Sequence, residues 1–434
     1  MKKIIKTGLL VLFILPLFCY SQINSPYSRY GVGNLSSQGS ISNRAMGGIS
    51  AAMSDFAAMN TLNPATYGNL AYTNLDMGFE FTNNNLKSKS PVGNFKSNYA
   101  IFNYVSVGIP LLGGNKNALK KNTGWGMAIG LKPLSRINYK VSSIQRNAGD
   151  SLIYVYEGNG GVNQAFIGTG VKLKNFSVGF NTGYLFGEKD YSSRIEFIND
   201  TVSYYKGNYQ TRSRFGGAFL DAGMQYEFKL KKGVFRIGAY SQLKANYNAK
   251  RDDIIETYDY DQTGAQVRLD SIFESKDQPG KVMMPSTYGV GIALETEHLL
   301  VGVDYEFGKW KDYKFFGQTD LVQDNWMLRA GAQYTPASAN STGYFNFVKY
   351  RAGFSIGKDY IKADNSLPLY NISVGGAFPL RLRRSFYDHQ YSVMNITFEY
   401  GSRGNSKNNI TESMYKLSLG FSLSDIWFIR QKYQ

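Results

Sequence analysis

The sequence predicts an all-β fold: a transmembrane antiparallel β-barrel of about fourteen strands with an N-terminal hatch inside the lumen. Three observations carry that expectation. Apolar residues recur at every second position through most of the chain, the strand-like segments sum to an even number, and an export signal precedes them.

The export signal occupies residues 1–21. Lys2, Lys3 and Lys6 precede an apolar run from Leu9 to Phe18, and Cys19-Tyr20-Ser21 supply the cleavage region before Gln22. The run is too short for a transmembrane helix, which takes roughly 20 apolar residues. Bulky Phe18 stands where a lipoprotein signal places a small residue, which disfavours lipidation at Cys19. Cys19 is the one cysteine among 434 residues, so processing leaves a chain without disulfides or thiolate metal sites. The formal net charge is +16. In an exported chain this excess suits anionic lipid and lipopolysaccharide headgroups, an anion-tolerant lumen or solubility, and no nucleic acid is expected as a partner. Mean hydropathy is slightly negative, at -0.30, yet a closed barrel hides its hydrophobicity in alternate residues. The expected location is the outer membrane of a Gram-negative bacterium.

Residues 22–72 are expected to form the hatch. They hold Ser25-Pro26, Gly31, Gly33, Gly39 and Gly47-Gly48, then a helical segment around Ile49 to Asn60. Ile49, Ala52, Met53 and Phe56 recur at helical spacing, and Pro64 is expected to end the element. So narrow an apolar stripe cannot bury itself alone, but a Gly-rich lumen would cover it. The plain alternative is an N-terminal extension lying outside the barrel.

Residues 73–434 are expected to form the barrel. Phe176, Val178, Phe180, Tyr184 and Phe186 alternate with Ser177, Gly179, Asn181 and Gly183, and Leu299 to Phe307 repeats the pattern. Segments near 74–82, 98–109, 124–141, 162–173, 175–187, 215–229 and 233–248 read as strands. Seven more follow near 284–295, 299–310, 324–335, 346–358, 370–380, 390–401 and 412–424. Lys174-Asn175, Leu230–Lys232 and Thr296–His298 make short turns on one rim. The segments 188–214, 249–283 and 311–323 are expected as long polar loops on the other. A closing strand carries Tyr415, Leu417, Leu419, Phe421 and Leu423, with Trp427-Phe428 after it.

Alternation turns charge of both signs inward: Arg236, Lys244, Arg329, Lys349 and Arg351 against Asp221, Glu227, Asp304, Glu306 and Glu399. Such a wall lines a channel or pairs with itself and with the hatch, and pairing is the favoured reading. Met46, Met53, Phe56 and Met59 would then offer an adaptable apolar surface for a hydrophobic small molecule, or simply pack the hatch.

Met46-Gly47-Gly48 to Ser54-Asp55, followed by Asn63-Pro64-Ala65, resembles the opening of the FadL-like outer-membrane transporters for hydrophobic compounds. The resemblance implies a fourteen-stranded barrel plugged by a glycine-rich hatch, with Asn63, Pro64 and Ala65 as the hatch motif and Gly47, Gly48 and Asp55 beside it. Ser25 to Gly31 and Glu399-Tyr400-Gly401 through Trp427-Phe428 are similar to the two ends of related outer-membrane proteins. Phe56 and Thr61-Leu62 depart from the pattern, where the family usually has an acidic residue and aromatics. A related branch, resembling PorV of the type IX secretion system, implies a partner role in an envelope protein complex.

Catalysis has little to work with. His298 and His389 fall in rim connections without a serine and acid at strand spacing, so no enzyme and no cofactor are expected. Gly158-Asn159-Gly160-Gly161 reads as a turn leading into a strand rather than a nucleotide loop. The acidic run Asp252, Asp253, Glu256, Asp259 and Asp261 lacks the spacing of a calcium loop and reads as a solvated loop.

Overall fold

A computed structural model describes residues 24–55, 58–112, 122–147, 150–198, 204–338, 341–363, 365–380 and 391–425. The export signal, Phe56, His389 and Trp427-Phe428 lie outside the described residues. Fourteen strands close into one antiparallel barrel. They are β1 (Thr73–Lys89), β2 (Val92–Pro110), β3 (Thr123–Asn147), β4 (Asp150–Leu173), β5 (Phe176–Phe197) and β6 (Lys206–Leu230). Two strands are each interrupted once: β7 (Gly233–Gln242, then Ala245–Tyr260) and β8 (Gln266–Met284, then Thr287–Glu295). The rest are β9 (Leu299–Gly308), β10 (Asn325–Tyr334), β11 (Lys349–Lys358), β12 (Pro368–Pro379), β13 (Tyr391–Arg403) and β14 (Ile410–Asp425). β14 pairs with β1 from Ile410↔Ser88 to Asp425↔Thr73, which closes the wall.

Alternation acts as the sequence predicts. Phe176, Val178, Phe180, Tyr184 and Phe186 are exposed on the outside, while Ser177 and Asn181 are buried against the contents of the lumen. Tight connections such as Lys174-Asn175 lie on one rim, and the opposite rim carries the long hairpins.

Two expected loops are instead strand. Residues 188–197, 206–214, 249–260 and 266–283 extend β5 to β8 well past the apolar band, and the acidic run from Asp252 to Asp259 lies in β7, with Asp261 just after it. Apolar residues in these extensions stand in adjacent pairs among charges, as at Ile254-Ile255 and Ile272-Phe273, so no clean period-2 apolar signal marks them. Their ladders are held by charge pairs across the sheet: Arg214 with Asp252 at 2.9 Å, Lys206 with Asp259 at 2.5 Å and Arg268 with Glu256 at 3.3 Å. Gly160 and Gly161, expected as a turn, lie inside β4 at φ 128° and 137°, where they bend the strand. The wall is therefore uneven, tall along β3 to β8 and short along β9 to β13.

The wall has a seam. β2 and β3 pair through Val105–Pro110 against Gly126–Leu131, and the ladder stops there. The N-terminal segment fills the exposed edge of β3 above that point. Leu35 and Asn34 pair with Ser135 and Arg136, and the Ser36 and Ser25 amides donate to Leu134 and Asn138 carbonyls.

The helix expected over Ile49–Asn60 is not formed. One helical turn, α1 (Ile41–Arg44), comes earlier, capped by the Ser40 side chain on the Asn43 amide. Downstream, the Ser50 and Ala51 amides donate to the Asp304 carboxylate, and the Asn60 side chain takes the Ser50 and Met53 carbonyls. Those carbonyls, and the Ala51 carbonyl taken by the Asn63 side chain, are groups a helix from Ile49 would have used in its own ladder, whereas the two amides fall in its first turn, where a helix leaves them open. Pro64, expected as a terminator, starts a 3-10 turn over Pro64–Asn69, with Asn63 as its N-cap.

Candidate functional site

The candidate site is the lumen, where the N-terminal segment is tied to the wall at several depths. Near the hairpin rim, Ser25 Oγ donates to Glu412 at 2.5 Å. Arg403 binds Asn34 at 2.8 Å and the Glu412 and Asp359 carboxylates at 3.2 and 2.5 Å. In mid-barrel, Arg44 lies between Glu80 of β1, at 2.6 Å, and Glu399 of β13. All three side chains are less than 5% exposed. Lys416, 3.9 Å from Glu80, brings a second positive charge to the pair of carboxylates. Burial works against the charge on Arg44, but Glu399 and Glu80 outweigh that cost and hold the guanidinium above its ordinary range. The Asp304 carboxylate grips the Ser50 and Ala51 amides at 2.5 and 2.7 Å. Towards the turn rim, Asp55 meets Lys349 at 3.0 Å.

Backbone contact tightens the fit. Gly47 (φ 69°) donates its amide to Ser373 Oγ at 3.0 Å, and its missing Cβ would strike the Ala330 carbonyl and the Phe354 backbone. Gly331 and Gly353 of the wall leave room for the Met46–Gly47 backbone. Gly48 (φ 86°) turns the chain beneath Arg329. Asn63 is fully buried: its amide donates to the Ala51 carbonyl at 2.6 Å and the Met224 carbonyl at 3.3 Å, and its oxygen accepts from the Ala65 amide. Pro64 and Ala65 lie against Gly170, Gly179 and Gly223 of the wall.

Most of the wall charges named from alternation have polar or charged partners. Glu306 takes both Arg329 nitrogens at 3.0 and 3.1 Å and the Tyr240 hydroxyl at 2.5 Å. Arg236 joins Glu227 at 3.1 Å and Glu295, and Lys172 reaches Glu227 at 2.6 Å. Arg351 donates to Gln333 and Asn395 at 2.8 and 2.7 Å. Lys244 stands apart in the break of β7, half-exposed, 3.6 Å from Asp312 of the hairpin-rim loop. Asp221 is buried in the wall.

The methionines are covered. Met46 and Met53 pack with Ile49 and Leu300, and Met59 joins a cluster with Tyr67 and Leu70. The cavities on either side of this plug are charged instead. One of about 290 Å³ is lined by Arg44, Glu80, Arg136, Arg329, Glu399 and Arg403. Another, of about 240 Å³ on the turn side, is lined by Asp55, Lys172, Glu227, Arg236 and Lys349. Sequence reasoning missed Arg44, Glu80, Asn60 and Arg403. Glu80 carries a readable signal, a charge flanked by Phe79 and Phe81 at an inward position, whereas Arg44 sits in a segment without period. His298 lies on the turn rim with Nδ1 3.0 Å from the Thr335 carbonyl. Among the described residues, no group of three or more acidic, histidine or cysteine side chains is placed to hold a metal ion.

This geometry defines a class: a closed fourteen-stranded barrel whose N-terminal segment is bonded to inward-facing side chains of the wall. Its fold matches that of the Pseudomonas putida toluene transporter TodX, at TM-score 0.55 and 16% identity, over 91% of this chain and 99% of that one. It likewise matches the Ralstonia pickettii toluene transporter TbuX (TM-score 0.52, 15% identity, 90% and 99% covered). A Pseudomonas aeruginosa FadL homologue is similar in fold at TM-score 0.51 and 12% identity, with 91% and 98% covered. No curated protein matches the chain by sequence. The chain belongs to the BamG family, whose sequence model spans residues 1–434.

Proposed function

We propose that this chain is a non-catalytic outer-membrane barrel that works as a closed, rigid subunit of an envelope protein assembly. The observation that carries this reading is the fixed plug, above all Arg44 buried between Glu80 and Glu399. Breaking such a group strands charge in the interior at a cost of about 3–5 kcal/mol. A gate that opens at each passage would have to break it together with the Asp304 and Asp55 contacts. A membrane setting is supported by the exposed band from Phe176 to Phe186, whose extended backbone tilted as in known barrels gives roughly 25 Å of apolar wall. The tall β3–β8 sheet would then stand outside the cell and offer the partner surface.

A second reading is favoured by the fold shared with hydrocarbon channels. In it Gly47 to Ala65 is a hatch that gates a hydrophobic small molecule, with Met46, Met53, Phe56 and Met59 as the surface it displaces. The buried charges that line the cavities beside the plug weigh against this reading, since an apolar solute there would displace the water that solvates them. Purification from native membranes in mild detergent, with protein amounts read by mass spectrometry, separates the two. The assembly reading expects other envelope proteins at near-equal amounts; recovery of the barrel alone contradicts it.

A further inference from the structure

The hairpin-rim half of β8 is a strand with one free side. From Gln266 to Met284 it pairs with β7, whereas on its other side the ladder among the described residues is confined to Val282–Met283 against Lys314–Phe315. The Phe316 amide then takes the Lys281 carbonyl. From Gln266 to Gly280 the outer edge carries no strand, and its first nine residues are exposed on both faces.

Next to that edge runs an apolar ridge. Phe273 is opposite Ile255, and Ile255 is opposite Tyr209, so the three stand side by side across β8, β7 and β6. They are 48%, 36% and 47% exposed. The ridge lies on the face that, lower in β7, turns Tyr247 and Ala249 into the lumen. It therefore faces the inside of the curved sheet, where bilayer lipid does not reach. Val267, 45% exposed, continues the ridge towards the hairpin tip.

We propose that this edge and ridge form a docking surface for an extended segment of a different envelope polypeptide, which adds to the sheet as a strand beside β8. The proposal rests on the assembly reading above and specifies its contact. Backbone N–H and C=O groups alternating along an open edge are matched in register by another backbone, and alternate apolar side chains of the incoming strand would extend the Tyr209–Ile255–Phe273 ridge. A second copy of this chain fits poorly. The β7–β8 ladder is bulged at Arg268/Asp270, Ser271/Phe273 and Ser275/Gln278, and such bulges keep two equal edges from mating flat.

The test is photo-crosslinking in cells with benzoylphenylalanine replacing Phe273 or Val267 in the full-length chain, and lipid-facing Ile237 as control. Both edge positions should give one and the same non-self adduct, mapping to an extended segment, and Ile237 should not. The Ser271 amide donates to the side chain of its neighbour Asp270 between two of the bulges, and Ser271→Pro places a ring at that point of the edge. In Ser271→Pro, and separately in Phe273→Asp, the adduct and recovery of that partner should fall at least tenfold while heat-modifiable migration of the barrel is kept. Adducts between copies of this chain alone, or undiminished partner recovery in both variants, overturn the docking edge and leave the assembly reading standing. A wild-type barrel that purifies alone overturns both.

Discussion

Arg44 lies 2.6 Å from Glu80, joining the helical turn of the plug to the first strand of the wall. Glu399 meets the same guanidinium from β13, next to the closing strand. The lumenal segment is thus fastened on both sides of the β14–β1 closure.

Arg44→Met should loosen the plug by about 3–5 kcal/mol, because two buried carboxylates lose their shared cation. Limited proteolysis of the folded protein in detergent reads this as faster cleavage within residues 24–72, with heat-modifiable migration of the barrel unchanged. Adding Glu80→Gln and Glu399→Gln should restore most of the protection, since the stranded charges are then gone. Failure of the triple variant to recover would mean that Arg44 acts through packing rather than charge.

Asn63→Ala with Pro64→Ala removes the side chain that satisfies the buried Ala51 and Met224 carbonyls and the residue that starts the following turn. The loss should be about 1–3 kcal/mol, confined to the plug, because neither residue belongs to a wall strand. Hydrogen exchange should quicken for the amides of residues 50–70 and stay unchanged in β9 to β14. Equal quickening in the wall would contradict a plug that folds as its own layer.

Topology follows from the two rims. Thr263→Cys, at the tip of the β7–β8 hairpin, should react with an impermeant maleimide on intact cells, whereas Asn175→Cys in the β4–β5 turn should react after lysis alone. The processed chain is expected to carry no other cysteine. Equal labelling of both positions would reverse or abolish the assigned orientation.

The barrel was legible in the sequence because lipid-side alternation is a local signal: Phe176 to Phe186 or Leu299 to Phe307 states its own strand. The upper halves of β5 to β8 were not legible, because Arg214, Asp252 and Glu256 are strand residues by virtue of charged partners on the adjoining strand rather than of any local apolar pattern. The helix placed at Ile49–Asn60 failed for a related reason. The Ala51 carbonyl is taken by Asn63 and the Ser50 and Met53 carbonyls by Asn60, while Asp304, distant in sequence, holds the Ser50 and Ala51 amides, and no period within 49–60 records these contacts. Wall charges such as Glu306 and Arg329 were readable as inward from parity, but Arg44, which completes the most buried group, lies in a stretch without period. Lys244 shows the limit of parity itself, since the break in β7 takes it out of the lumen row.

The central claim, that the plug is a fixed part of the wall rather than a gate, is tested most directly by locking it. An ideal Cβ on Gly420 of β14 would lie 3.1 Å from the Ile41 Cβ of α1 with side-chain atoms alone nearest to it, close enough for Ile41→Cys with Gly420→Cys to form a disulfide after small adjustment. Uptake of labelled toluene by intact cells, whose lipopolysaccharide leaflet is the barrier to apolar solutes, should be measured with the oxidised and the reduced double variant. The account predicts the same background uptake in both states, with unchanged recovery of partner proteins from native membranes. Uptake that is present in the reduced protein and abolished by the disulfide would contradict it and establish the plug as a gate.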